Sequence, residues 1–333
     1  MENFIHLHFI GKTASPWSIS RMYSEAPLIC CQNFLWGRAI RGPILNYVLR
    51  TYCPHFPELP PCIKCSERLD CPFYNLYGVD KKGEFKDTPR LVVTSLTFED
   101  TFGKMEFERF PIISRDSMTK GVALGPVFLE YIQAGVNFEF EALLIGEASR
   151  FSNYFIEAVR ATLSLTGWGA RCSRGYGRGR LIKVKKHSFD EWVKDYIDKR
   201  TVKLNGSQEA YFRIFPIIIL DKADEKCEPY QSILEKGFIN KLKNSMQERY
   251  WQLFKAHHYI KIESVSGPCV HTMIRAWSRK ENKDKWFSGL TGSIKIRFGS
   301  KLNDKDLRVI GTAWYGVGRY KNQGFGSLRL LTG

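Results

Sequence analysis

A glycine frame occurs twice in this chain at one internal spacing. Gly167-Trp168-Gly169 is followed by five residues and then Gly175-Tyr176-Gly177. Gly316-Val317-Gly318 is followed by five residues and then Gly324-Phe325-Gly326. Two residues later each copy runs into Arg-Leu, at 180–181 and 329–330. Glycine takes positive φ freely and lets backbone approach a neighbour closely. The repeat therefore reads as one supersecondary unit used twice, a glycine-rich loop leading into a strand. The inserts, Ala-Arg-Cys-Ser-Arg and Arg-Tyr-Lys-Asn-Gln, are polar and basic. Basic side chains beside exposed backbone N–H groups suit phosphate. Neither copy is a dinucleotide fingerprint or a P-loop: the insert is wrong for the first and Gly-Lys-Ser/Thr is absent.

The elements around each copy repeat as well. Residues 3–10 read as a strand, with Ile5, Leu7 and Phe9 on one face and Phe4, His6, His8 and Ile10 on the other. Gly42-Pro43 marks a helix start for 43–51, since proline is favoured at the first helical position. Strands are expected at 90–98, 104–113, 127–133, 136–145 and 178–185, with an amphipathic helix at 150–165. The polar stretch 187–206 reads as a linker. The second half repeats the order: strand 211–220, helix 231–256, strands 259–266, 270–279 and 289–298, helix 303–315 and strand 325–331. Each half is thus β-α-β-β-α-β, the ferredoxin-like pattern. The expected fold is α+β, two tandem ferredoxin-like (RRM-like) domains over 1–186 and 207–333, each with its glycine loop before the last strand.

At 333 residues, 44% hydrophobic and 14% aromatic, the chain can fill two cores. Its net charge of +16 points to a polyanion. The charge is concentrated: residues 167–186 hold Arg171, Arg174, Arg178, Arg180, Lys183, Lys185 and Lys186 and no acid. No apolar run approaches the ~18 residues of a membrane span, and the first residues carry no signal-peptide pattern. A cytoplasmic protein with no membrane partner is expected. Nine cysteines there read as metal ligands or free thiols rather than disulfides.

Cys53, Cys62, Cys65 and Cys71, in the insertion 53–78, form C-x8-C-x2-C-x5-C. Four thiolates with no spare position suit a closed tetrahedral zinc; an iron–sulfur cluster takes the same ligands. Pro54, Pro57, Pro60 and Pro61 make the segment irregular, so a metal staple would order it.

Two ferredoxin-like halves with a G-x-G-x5-G-Phe-G loop near the C-terminus resemble the RAMP superfamily of CRISPR RNA-binding proteins. Arg41-Gly42-Pro43-Ile44-Leu45 through Leu49-Arg50 resembles the early Arg-Gly helix of one branch. The Cys run ending in Pro-Phe-Tyr-Asn-Leu-Tyr-Gly resembles that branch's cysteine insertion, and Trp286–Phe298, with Gly289 and Gly292, its glycine strand. Together these are similar to the sixth-numbered Cas family, the endoribonuclease that cuts CRISPR repeat transcripts into guide RNAs. The resemblance implies metal-independent cleavage: a 2′-hydroxyl attacks its phosphate, leaving a 2′,3′-cyclic phosphate and a 5′-hydroxyl. It also implies a CRISPR RNA partner and, in an effector complex, other Cas subunits. Many members carry a His in or near the first helix; residues 33–52 here contain none. A non-catalytic RAMP subunit that binds guide RNA is therefore the alternative, and a nucleic-acid module outside CRISPR biology a third reading.

Such cleavage needs a base, an acid and positive charge on the phosphorane, and His suits the first two roles. His8 is the first candidate base and His271 the second; Lys12, Arg21 and Tyr23 are weaker candidates for acid or clamp. His271, Met273, Arg275, Trp277 and Arg279 share one strand face, which offers phosphate contacts and a stacking platform. RNA contacts are expected from Arg171, Arg174, Arg178, Arg275, Trp277, Arg279, Arg319, Tyr320 and Lys321, with Gly316, Gly318, Gly324 and Gly326 shaping the second loop. His257 and His258 read as helix C-terminal cations. The second glycine loop is expected to combine RNA contact with structure, and the first to be mainly structural.

Overall fold

The computed structural model describes residues 3–19, 28–29, 31–57, 62, 65–77, 89–99, 107–115, 122–222, 228–278 and 283–331. The elements in chain order are β1 (Phe4–Thr13), β2 (Leu28–Ile29), β3 (Phe34–Leu35), α1 (Gly37–Tyr52), α2 (Pro72–Tyr77), β4 (Leu91–Val93), β5 (Leu96–Phe98), β6 (Glu108–Arg115), β7 (Val122–Tyr131), β8 (Asn137–Ile145), α3 (Ser152–Ala161), β9 (Gly179–His187), α4 (Phe189–Trp192) and α5 (Lys199–Thr201). They continue as β10 (Glu209–Ile218), α6 (Phe238–Phe254), β11 (Ile262–Ser266), β12 (Cys269–Ser278), β13 (Lys283–Phe298), α7 (Asp304–Thr312) and β14 (Ser327–Leu330).

Mixed α/β structure with antiparallel sheets results. The first main sheet has the order β3-β5-β8-β1-β9, with β4 also on β8; the second has the order β11-β13-β10-β14, with β12 also on β13. β1 is flanked by β9 and by β8, the strand before α3, and β10 by β14 and by β13, the strand before α7. The parallel pair β2–β7 and the antiparallel β6 make a third, small sheet.

Period-two patterning places the cores. Leu7 and Phe9 of β1 and Phe140 of β8 pack on Ile40, Ile44 and Val48 of α1 and on Phe155 and Val159 of α3. Phe212 and Ile214 of β10 and Ile294 and Ile296 of β13 pack on Leu242 and Met246 of α6 and on Val309 and Ile310 of α7. The side chains of these strands' other faces point away from their helices. Both cores bury their large apolar residues almost completely, about 1.5–3 kcal/mol for each such side chain.

Three expectations shift. Helix α1 begins at Gly37, six residues before Pro43, which lies inside it. Helix α6 begins at Phe238 rather than 231, after Gly237 in the left-handed region (φ 91°). The expected linker is helical over residues 189–204. Ser188 caps that segment through a reciprocal pair with Glu191. Its Trp192 and Ile197 are fully buried with Phe4 and Leu143 from one half and Leu253 and Tyr315 from the other. Among the described residues, no helix is long and apolar enough to cross a membrane.

Candidate nucleic-acid interface

The two glycine loops have the same backbone. Gly167, Gly169, Arg171, Gly175 and Gly177 have φ of 75°, 98°, 59°, 85° and 78°; Gly316, Gly318, Tyr320, Gly324 and Gly326 have 93°, 81°, 59°, 83° and 69°. Each loop closes on itself, Trp168 N donating to Gly177 O and Val317 N to Gly326 O, both at 2.9 Å. A Cβ on Gly177 would stand 2.0 Å from Trp168 O, and one on Gly326 2.0 Å from Val317 O. No side chain fits there, so sequence spacing was enough to find both loops.

Their surroundings differ. In the first loop Arg174 and Arg178 are exposed, Arg171 is half-buried, and nothing lies within 4 Å of a Cβ on Gly175. The equivalent Gly324 abuts the first half, its Cβ position 2.9 Å from Gly37 N and from Ser95 N. Ser95 Oγ donates to Gly324 O at 3.0 Å, and Trp36 packs against Phe325. The second loop therefore carries the larger structural part. Its Arg319 pairs with Asp221 (3.2 Å), and Tyr320, partly exposed, lies edge-on to Phe287. Lys321 is turned inward. Its Nζ meets Glu248 Oε1 at 2.7 Å, and burial together with the adjacent Arg249 pulls its pKa down to about 8. Arg249 is fully buried and holds the loop from beneath, donating to Gly316 O at 2.8 Å and Asn322 Oδ1 at 2.9 Å.

The histidines of β1 face the other half of the molecule. His6 is fully buried, and its Nε2 lies 2.8 Å from Glu141 Oε2. Glu141 also accepts from Tyr315 Oη (2.6 Å) and from Arg200, whose guanidinium lies 4.0 Å over Trp314. Burial works against the Glu141 charge, but Arg200 and His6 hold its carboxyl well below the usual range. Burial lowers the His6 pKa despite Glu141.

His8 stands at the rim. Its Nε2 lies 2.9 Å from Glu139 Oε2 and its Nδ1 3.1 Å from Tyr196 Oη. The bond from His8 lowers the Glu139 pKa, while burial and Glu141 push Tyr196 up to about 12. Strand register aligns charge beside it. On β9, Lys185, Lys183 and Arg180 stand opposite His8, Ile10 and Lys12 of β1. His8, Glu139, Thr97, Trp314 and Arg329 line a small cleft between the halves. Arg329 is buried against Phe215 and Trp314, and burial brings its pKa down to about 9.

His271 is elsewhere, exposed on β12 and 2.6 Å from Ser288 Oγ; the two candidate bases do not share a site. Arg275 and Trp277 fall on β12 opposite Trp286 and Asp284. Their side chains, with Arg279, Arg21 and Tyr23, lie outside the described residues. His258 lies beyond the end of α6 and pairs with Asp306 of α7 at 2.8 Å, rather than acting as a cation on the helix terminus. Sequence reasoning missed Glu139, Tyr196, Arg200 and Tyr315. The run Phe138-Glu139-Phe140-Glu141 alternates at strand period and was the available signal; nothing local marks Arg200. The four cysteines of the insertion border one small cavity.

No protein-family profile matches the chain, and no curated protein matches it. Among solved structures, one it resembles is a cryo-EM structure of a Type III-B Cmr-beta bound to cognate target RNA. The identity is 17% and the TM-score 0.41, over 55% of this chain and 61% of that one. The chain thus spans about three-fifths of that protein. Another is a Cas6 product complex, at 11% identity and TM-score 0.45, over 99% of this chain and 100% of that one.

Proposed function

We propose that the chain is an RNA-binding protein of the RAMP kind, built from two tandem ferredoxin-like units over 1–186 and 207–333. Its reaction would be metal-independent cleavage of CRISPR repeat transcripts into guide RNAs. The single observation that carries this is the row formed by register on β1 and β9. His8, oriented by Glu139, stands opposite Lys185, with Lys183 and Arg180 continuing along one sheet face. The strand order supports the two-unit reading. Phosphates would follow the basic row and the exposed Arg174 and Arg178 of the first loop.

In this reading His8 takes the proton of a 2′-hydroxyl, whose oxygen attacks the neighbouring phosphorus. The bond from phosphorus to the 5′-oxygen breaks, leaving a 2′,3′-cyclic phosphate, and that oxygen takes a proton from water and departs as a 5′-hydroxyl. Lys185 offsets the charge on the phosphorane. Glu139 holds the imidazole, as a carboxylate orients a catalytic base. His271, hydrogen-bonded to Ser288, is the second candidate.

The side chain of His8 is only 12% exposed, and residues 33–52 lack His. Both favour a second reading, a non-catalytic RAMP subunit that holds guide RNA within an effector complex. One assay separates them: labelled repeat RNA in excess EDTA, with a 2′-deoxy substitution walked through each position. Cleavage abolished by one 2′-deoxy and lost in His8→Ala is expected. Tight binding without cleavage selects the subunit reading; no binding refutes both.

A further inference from the structure

Cys53, Cys62, Cys65 and Cys71 come from three local settings. Cys53 caps the C-terminus of α1, Cys62 and Cys65 close a turn, and Cys71 immediately precedes α2. They nevertheless line one cavity, with Pro54, His55, Arg68 and Tyr74. Two details fit a metal rather than four independent thiols. Cys65 N donates to Cys62 O at 3.3 Å, folding the C-x2-C pair so that both sulfurs border the same space. The backbone N–H groups of Phe73 and Tyr74, in the first turn of α2, donate to the Cys71 sulfur. Asn75 locks that turn, its Nδ2 donating to Leu69 O at 2.8 Å and to Cys71 O at 3.0 Å.

Among the described residues, no three His, Cys, Asp or Glu side chains are already in geometry to hold one ion. Binding would therefore draw the sulfurs inward, as in small metal modules that order with their ion. Arg68 on the cavity wall offsets the excess negative charge of a tetrathiolate.

We infer that this cavity is a closed structural zinc site whose four ligands are Cys53, Cys62, Cys65 and Cys71. It staples the C-terminal end of α1 to α2. The staple reaches further than the insertion: Arg41 of α1 donates to Tyr77 O at 3.0 Å, and Arg90, before β4, donates to Asn75 Oδ1 at 2.8 Å. The inference stands on these residues alone and is independent of the RNA reading.

The test is metal content of the full chain, purified without added metal. One zinc per chain is expected. Cys71→Ser and Cys62→Ser should lose most of it, and His55→Ala should keep it. Protein grown on cobalt should show the intense visible bands of a tetrahedral thiolate site. If the serine variants do not fold, titration of the wild type with a mercurial should release zinc in step with thiol blocking. Wild type without zinc, wild type with iron and labile sulfide, or full zinc in Cys71→Ser would each overturn the assignment.

Discussion

Arg200→Ala tests the contact that joins the two halves. Arg200 lies in the helical connector, Glu141 on β8 and Tyr315 after α7, so one carboxylate is shared by three parts of the chain. The Glu141 side chain is 7% exposed and that of Arg200 24%. Removing one member of a buried ion pair costs about 3–5 kcal/mol, because the other charge is left without compensation. Glu141 would keep His6 and Tyr315 as donors, which argues for the lower end. The stacking of Arg200 on Trp314 adds about 0.5–1 kcal/mol. The expected loss is therefore about 3–4 kcal/mol, a fall of more than a hundredfold in the folded ratio. Urea unfolding followed by tryptophan fluorescence reads it directly, since Trp192 and Trp314 border the site. Glu141→Gln should also destabilise, and the double variant should cost at least 1 kcal/mol less than the sum. A single-variant loss under about 1 kcal/mol, or strict additivity, would show that the pair is solvated and the reasoning wrong.

Stability should fall with acid over two pH ranges, with one sign. His6 has a folded pKa below its ordinary value, so the unfolded chain binds its proton first and stability falls as pH drops below about 6.5. The Glu141 contribution is present above its unfolded pKa and is lost as pH falls through its depressed folded one. Each contributes at most about 1.4 kcal/mol per pH unit. His6→Gln should flatten the upper limb in a denaturation series; a limb that persists assigns it to another group. On the RNA side, Arg174→Ala, Arg178→Ala and Arg319→Ala should each reduce the salt slope of binding by about 0.7, one phosphate contact on a single strand. Lys321→Ala should lower stability before affinity, since its ammonium sits on Glu248. Unchanged slopes in all three Arg variants would remove the loops from the RNA path.

What could be read from the sequence divides by the range of the interaction. The glycine frame was legible because positive φ and a Cβ clash at about 2 Å leave glycine no substitute. The alternation of β1 gave the shared side of His6 and His8, because strand period is local. The start of α1 was misplaced because Pro43 fits both the first turn of a helix and, here, its interior. The connector was read as a linker from its polarity, yet Trp192 and Ile197 bury it between the cores. Lys321 looked like a free cation; its inward turn depends on Glu248 and Arg249 of α6, which no local pattern announces.

The docking of the second glycine loop onto Gly37 and Ser95 has a consequence for how the chain is made. During synthesis the first half emerges with its helix start and its β4–β5 corner uncovered, because Gly324 follows Ser95 by 229 residues. Domains fold largely in the order they leave the ribosome. The late loop then meets a surface that is already folded. The seam between the halves is closed from the C-terminal side, by the copy of the repeat that had a neighbour waiting for it, while its earlier twin kept its outer edge open.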